Sequence, residues 1–233
     1  MKRKEYIDKI LEIYSLVSVL SQKNNCEVLR LRNKKSGKDL VLRSLPDQLK
    51  AYENLQQIRC VNLPEIYDVF EMDDGQIVLE EYIDGITVAQ VMEVDQYRSS
   101  GAREVLFGVC DALTTLHNRG IIHRDVKPGN VMVEQSGRVV LIDFNVARMQ
   151  SSASKDTVMM GTVGYAAPEQ LGISQTDART DIYAAGVLYN VMLTGQHPSV
   201  TIASGKAGRI IRKCTAVNPD ERYQTAAELW SAL

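Results

Sequence analysis

The stretch His123-Arg124-Asp125-Val126-Lys127-Pro128-Gly129-Asn130, followed after the apolar run Val139–Ile142 by Asp143-Phe144-Asn145, decides how the rest of the chain is read. A carboxylate, an ammonium, an amide and a second carboxylate occur there in order. Val139–Ile142 has the composition of a buried strand, which places Asp143 at the end of a strand where nothing structural demands a charge. Asn130 and Asp143 carry hard oxygen donors of the kind Mg²⁺ takes. Alone, an aspartate in the position of Asp125 would more often cap a turn. His117 and His197 are single histidines near helix ends and read as caps.

The remaining composition narrows the class. The chain has 233 residues, 45% hydrophobic and 24% charged, with 27 Lys+Arg against 29 Asp+Glu and a formal net charge of -2. These values fit an ordinary globular protein able to bury a core without staples, and they exclude disorder and fibrous folds. Near-balanced charge and a pI of about 6.0 argue against a nucleic-acid partner. The cysteines Cys26, Cys60, Cys110 and Cys214 form no CxxC pair, so neither a disulfide framework nor a zinc site is indicated. No apolar run reaches the roughly 18 residues of a membrane helix, and the polar start, Met1–Lys4, leads into an amphipathic stretch unlike a signal peptide. The expectation is a cytoplasmic chain, which could be the cytoplasmic part of a longer, membrane-anchored protein.

Periodicity changes along the chain. Tyr14–Leu20, Cys26–Arg32, Lys38–Leu45, Glu65–Met72 and Gln76–Glu81 read as strands separated by polar turns. Between the third and fourth, a helix is expected from Pro46, with Leu49, Tyr52, Leu55 and Ile58 at helical spacing. From Gly85 the period is helical: Val105–Leu116, ended by Gly120; Ala184–Met192, ended by Gly195; Ala207–Cys214; and a last helix opened by a Thr225/Glu228 capping box. The expected fold is α+β and bilobal, one domain over 1–233, with a small β-rich N-lobe at about 1–82, a connector at about 81–85 and a larger helical C-lobe at about 86–233.

The motif order resembles that of the protein kinases, whose catalytic loop is HRDxKxxN and whose metal-binding motif is DFG. The resemblance continues through Ala167-Pro168-Glu169, the segment Asp181–Gly186, and Arg222, so it spans essentially the whole chain. Gly161–Glu169 looks most like the bacterial serine/threonine kinases. Under this resemblance, Asp125 orients a substrate hydroxyl and accepts its proton, and Lys127 reaches the γ-phosphate. Asn130 and Asp143 hold Mg²⁺, or Mn²⁺ in its place, and with Arg43, Lys23 and the connector residues Glu81 and Ile83 they form the ATP site. The resemblance also implies that His123 holds the Asp143 segment, that Asp181 braces the catalytic-loop backbone and that Arg222 pairs with Glu169.

Several positions depart from the family pattern. The glycine-rich phosphate loop is missing: the corresponding turn, Ser21–Cys26, has no glycine, and only Lys23 offers a compensating charge. Arg43 stands where the family has the VAIK lysine, a planar fork in place of a compact ammonium. Glu53 is the nearest glutamate on the following helix to serve as its partner, although motif spacing points closer to Ala51. Glu80 falls at the back of the adenine pocket, where it could find Arg43 or another cation. Asn145 replaces the DFG glycine, and asparagine tolerates positive φ. Met149–Met160 resembles an activation loop with Ser151, Ser152, Ser154 and Thr157; phosphorylation, favoured at Thr157, would pair with Arg124, and Thr162 belongs to the substrate-side wall.

The leading expectation is a serine/threonine protein kinase using Mg–ATP on an unknown protein substrate, with self-association for autophosphorylation. The alternative is a pseudokinase, a nucleotide-binding or scaffolding module. A small-molecule phosphotransferase is disfavoured by Ala167-Pro168-Glu169 and Arg222.

Overall fold

The computed structural model describes residues 1–23, 25–150, 162, 164–171 and 175–233. They fall into two compact units, Met1–Arg59 with Pro64–Ile83, and Cys60–Leu63 with Asp84–Leu233. Cys60–Leu63 joins the second unit because its polar groups are satisfied there. The Asn62 side-chain amide donates to the Val139 carbonyl (2.7 Å), the Asn62 carbonyl accepts from Leu141 N–H (3.0 Å), and Arg138 Nε donates to the Val61 carbonyl (2.7 Å).

The first unit is built on an antiparallel sheet of β1 (Tyr14–Lys23), β2 (Cys26–Asn33), β3 (Asp39–Leu45), β4 (Ile66–Met72) and β5 (Gly75–Glu81) in the order β1-β2-β3-β5-β4. Strand alternation sends Leu29, Leu31, Leu40, Leu42 and Ile77 to one face, where they form a buried cluster. Helix α1 (Arg3–Ile13) covers that face with Ile10, Tyr6, Ile7 and Leu11, and the Tyr6 ring lies 4.9 Å from that of Phe70. The segment that reads only as amphipathic in sequence is therefore a structural lid on the sheet. Its first turn is tied down by the Arg3 backbone N–H, which donates to Asp74 (2.8 Å). Its last turn is tied by the Lys34 ammonium, which donates to the Leu11 and Glu12 carbonyls, a cation at the helix end that favours one. The β4–β5 turn needs glycine at Gly75: its φ is +139°, and a Cβ there would lie 2.0 Å from the Leu45 carbonyl oxygen.

Helix α2 is shorter than its periodicity predicts, running over Lys50–Leu55 rather than from Pro46. The Leu49 N–H is bonded to the side chain of Gln76 on β5 (3.3 Å), so the tertiary contact takes a donor that an earlier helix start would have used. Ala51, Tyr52 and Leu55 are buried, and Glu53 points to solvent.

The second unit is mainly helical. It contains α3 (Val88–Val94), α4 (Ser99–His117), α5 (Ala178–Thr194), α6 (Gly205–Cys214) and α7 (Ala226–Ala232). Helix α5 ends on Gly195 in the left-handed region, and Thr225 caps α7 by accepting from Glu228 N–H (3.1 Å). Two small sheets frame the motif region: β6 (Gly85–Thr87), β8 (Val131–Glu134) and β9 (Val139–Leu141) in the order β6-β8-β9, and β7 (Ile121–Ile122) paired with β10 (Arg148–Met149). The fold is α+β, with a sheet-built N-terminal region and a helical C-terminal region. No helix among the described residues is long and apolar enough to cross a membrane.

If α1 is part of the sheet's core, Ile10→Ala should lower unfolding free energy by about 2–3 kcal/mol, measured by urea denaturation. A change within experimental error would show that the helix is not part of that core.

Candidate active site

The second unit organises its motif around one buried carboxylate. Asp181, on α5, is wholly buried and accepts from the backbone N–H groups of His123 (2.9 Å) and Arg124 (2.7 Å) and from His117 Nε2 (2.8 Å). Burial alone would raise its pKa, but the bond from His117 and the loop donors outweigh it and the carboxyl lies below its ordinary range. His117 does more than end a helix: its bond places it inside the brace. No sequence signal marked that role.

His123 is fully buried, and burial lowers its pKa against the pull of nearby carboxylates. Its Nδ1 accepts from Asp125 N–H (3.3 Å), so Nε2 carries the proton and donates to the Ile142 carbonyl (3.1 Å). Its ring also meets Phe144 edge-on at 5.1 Å. A neutral imidazole thereby joins the loop to the strand that delivers Asp143. Arg124 adopts φ +65° and donates Nε–H to the Val146 carbonyl (2.7 Å).

With the backbone held, the side chains converge on Asp125. Lys127 Nζ donates to Asp125 Oδ2 (2.7 Å) and to Thr162 Oγ (2.6 Å), while the Thr162 hydroxyl donates to Asp125 Oδ1 (2.8 Å). Asn130 donates its amide to Asp125 Oδ2 (2.8 Å) and to the Asp125 carbonyl (2.9 Å). Thr162 thus belongs to the carboxylate's own shell, and a side-chain hydroxyl already rests against Asp125.

Asn130 is nearly buried, and both amide protons are directed at Asp125, leaving Oδ1 as its donor to a cation. The Ile142 N–H donates to the Asn130 carbonyl (2.9 Å), which ties the end of β9, and with it Asp143, to the same turn. One amide oxygen and one carboxylate are a donor set that fits Mg²⁺ completed by phosphate oxygens and water. Asp143 has φ +70°, and Asn145 is not among the positive-φ residues. Asparagine's tolerance of the left-handed region is therefore not what preserves the turn: the strained residue is the aspartate itself.

Farther along the unit, Glu169 and Arg222 form a buried bidentate pair (2.7 and 2.9 Å), to which Thr180 Oγ adds a bond to Glu169 (3.0 Å). Burial would raise the Glu169 pKa, but Arg222 holds it below the usual range. Gln170, which carries no local sequence signal, accepts from Ala167 N–H and donates to the Arg124 carbonyl (both 2.9 Å), linking this turn to the 123–130 loop. Thr157 and the serines Ser151, Ser152 and Ser154 lie outside the described residues.

In the first unit, Arg43 and Glu80 share a sheet face and form a buried ion pair, Nε to Oε1 at 2.6 Å. Of the two acids the sequence offered, the partner is Glu80, not Glu53. Glu53 lies exposed on α2, whereas Glu80 sits on the strand next to β3, where cross-strand geometry brings long side chains together. Lys23 is exposed at the end of β1, and β2 resumes at Cys26, with Asn25 at φ +58°. Glu81 bonds to Glu65 N–H through its side chain and donates its own N–H to the Glu65 carbonyl; Ile83 is buried.

A model of the protein kinase domain matches residues 18–231. The chain belongs to the protein kinase family. The kinase domain is 30% identical over 216 residues to the serine/threonine-protein kinase PknB of Mycolicibacterium smegmatis, covering 78% of this chain and 35% of that protein. It is 36% identical over 140 residues to the probable serine/threonine-protein kinase PknB of Lactococcus lactis, 59% of this chain and 22% of that one. A probable serine/threonine-protein kinase of Streptomyces coelicolor matches at 27% over 259 residues, 93% of this chain and 38% of the relative. The kinase domain spans about a third of the length of the first two PknB relatives it matches.

Two outcomes follow for stability. Glu169→Ala strands a buried guanidinium and should cost about 3 kcal/mol in chemical unfolding; a loss under about 1 kcal/mol would mean the pair behaves as an exposed one. His123 has a folded pKa below its unfolded value, so the unfolded chain binds the extra proton, and stability falls as pH drops below about 6.5. Asp181 and Glu169 add a second loss as pH falls below about 4 toward their lower folded values. Melting temperature against pH should decline through both windows, and His123→Gln should flatten the upper one.

Proposed function

We propose that this kinase domain is a serine/threonine protein kinase, transferring the γ-phosphate of Mg–ATP to a protein hydroxyl. The observation that carries the reading is the shell around Asp125, in which Lys127, Asn130 and a threonine hydroxyl all meet one carboxylate. Asp125 Oδ1 already accepts from an aliphatic alcohol, that of Thr162. A substrate serine or threonine would take the same kind of bond, and the carboxylate would orient it and receive its proton as the oxygen attacks. Lys127 would turn from Asp125 toward the transferring phosphoryl oxygens, where its charge is needed. Asn130 Oδ1 and Asp143 would hold the divalent ion, which neutralises phosphate charge when bound. Arg43, Lys23, Glu81 and Ile83 are the further residues proposed to contact ATP.

A second reading, a nucleotide-binding or scaffolding module, draws on the first unit. Arg43 is engaged by Glu80, and the β1–β2 turn lacks glycine, so nucleotide could be held without efficient turnover. The names of the PknB relatives favour the enzyme. The kinase reading also suits a protein acting within the cytoplasm, with ATP and a protein substrate as partners and a second copy as the target of autophosphorylation.

Radiolabel transfer from ATP to a generic serine-rich protein, with a thermal shift run beside it, separates the readings. Asp125→Asn should reduce transfer about a thousandfold while ATP plus Mg²⁺ still raises the melting temperature. Asp143→Ala should remove the Mg²⁺-dependent part of that shift. Nucleotide stabilisation with no transfer by the unaltered chain would leave the module reading standing and the enzyme reading overturned.

A further inference from the structure

Beside Asp125, wholly within the second unit, lies a groove of about 280 Å³ lined by Ala89, Met92, Glu93, Lys127, Pro128 and Tyr165. Ala89, Met92 and Glu93 recur at the i, i+3, i+4 spacing that puts them on one face of α3. The wall they make is fixed. Thr87 caps α3 by accepting from Gln90 N–H (3.1 Å), Gln90 Oε1 accepts from Thr87 N–H (2.8 Å), and β6, which leads into the helix, pairs with β8 directly after the catalytic loop. The opposite wall is that loop. Its Lys127 belongs to the groove and also to the Asp125 shell, with Nζ at 2.7 Å from the carboxylate.

The lining sets the chemistry of what can enter. Alanine, methionine, proline and a tyrosine ring offer apolar surface, which favours an apolar side chain. The Lys127 ammonium is already bonded to Asp125 and Thr162. Glu93 is exposed and makes no ion pair among the described residues, while Lys127 is matched by Asp125 and, in the proposed reaction, by phosphate, so the charge left for a visitor is the negative one of Glu93. Its position sets which residue of a substrate arrives. The reach from Lys127 Nζ back to its Cα is roughly 6 Å, five bonds of about 1.5 Å, or about two residues of extended chain at 3.3 Å each. A polypeptide whose hydroxyl sits at Asp125 would therefore need about two residues of chain to reach the Lys127 wall of the groove.

We infer that this groove selects protein substrates carrying a bulky aliphatic side chain about two residues from the phosphorylated hydroxyl, with a lysine or arginine next to it facing Glu93. The inference rests on the kinase reading for its biological meaning, but the binding preference can be measured without it.

The test uses the unaltered chain with serine peptides carrying Leu, Ala or Asp two positions to either side of the acceptor, and Arg or Glu beside that position. Transfer is read as kcat/KM, and binding of the same fluorescein-labelled peptides is read in parallel by anisotropy. Leu over Asp should gain about tenfold in both, and Arg over Glu should gain severalfold at low salt, with the advantage shrinking as salt is raised. Met92→Asp should erase the Leu preference while the Ala peptide changes by less than about twofold, and Glu93→Arg should invert the preference for the neighbouring charge. Equal kcat/KM and equal binding across the peptides would overturn the inference, as would preferences unchanged by both variants. Should no peptide be phosphorylated while the Leu and Arg preferences appear in binding and respond to the variants, the groove stands and the kinase reading falls.

Discussion

The second unit depends on one carboxylate removed from water. Asp181 sits on α5 with no exposure and is spent on two consecutive backbone N–H groups and one imidazole. Holding Arg124 at positive φ costs on the order of 1–2 kcal/mol, whereas each hydrogen bond to a charged acceptor contributes about 1.5–3 kcal/mol. The bonds win, and the loop keeps a conformation that a free peptide would leave. Everything functional is downstream of that constraint: His123 reaches the β9 strand end, Asp125 is left facing Lys127 and Thr162, and Asn130 is turned so that its amide protons are consumed and its oxygen is available.

A second constraint operates in the first unit and has a different character. Arg43 and Glu80 are brought together by neighbouring strands of one sheet, so their pairing is fixed by register rather than by the placement of a helix. The family's usual arrangement leaves a lysine to find an acid on a separate element. Here α2 is a six-residue helix whose glutamate faces solvent, and the cation's partner comes from β5. Arginine suits this site, since its planar fork loses less freedom per bond than a lysine stem would. The opposite face of the same sheet is occupied by α1, so one face buries an ion pair and the other an apolar helix.

Sequence alone was enough for the kinase family, the five strands of the first region, four of the five helices of the second, and the proposal of Asp125, Lys127, Asn130 and Asp143 as a set, because these depend on residue type at short spacing and on hydrophobic period, which are local properties; α3 and, β9 apart, the two- to four-residue strands around the motif are too short to show a period. The buried strand before Asp143 and the caps at Gly195 and Thr225 were legible for the same reason. What tertiary structure decided were choices between chemically equal candidates distant in the chain. Glu53 and Glu80 are both glutamates, and only strand register put the second against Arg43. His117 and Gln170 carry no local mark of their roles, since each acts on a backbone group or carboxylate far along the chain. The left-handed residue near the metal motif turned out to be Asp143 rather than Asn145, and α1 became a lid on the sheet, because backbone strain and the covering of an apolar face are settled by neighbours that a linear reading does not contain.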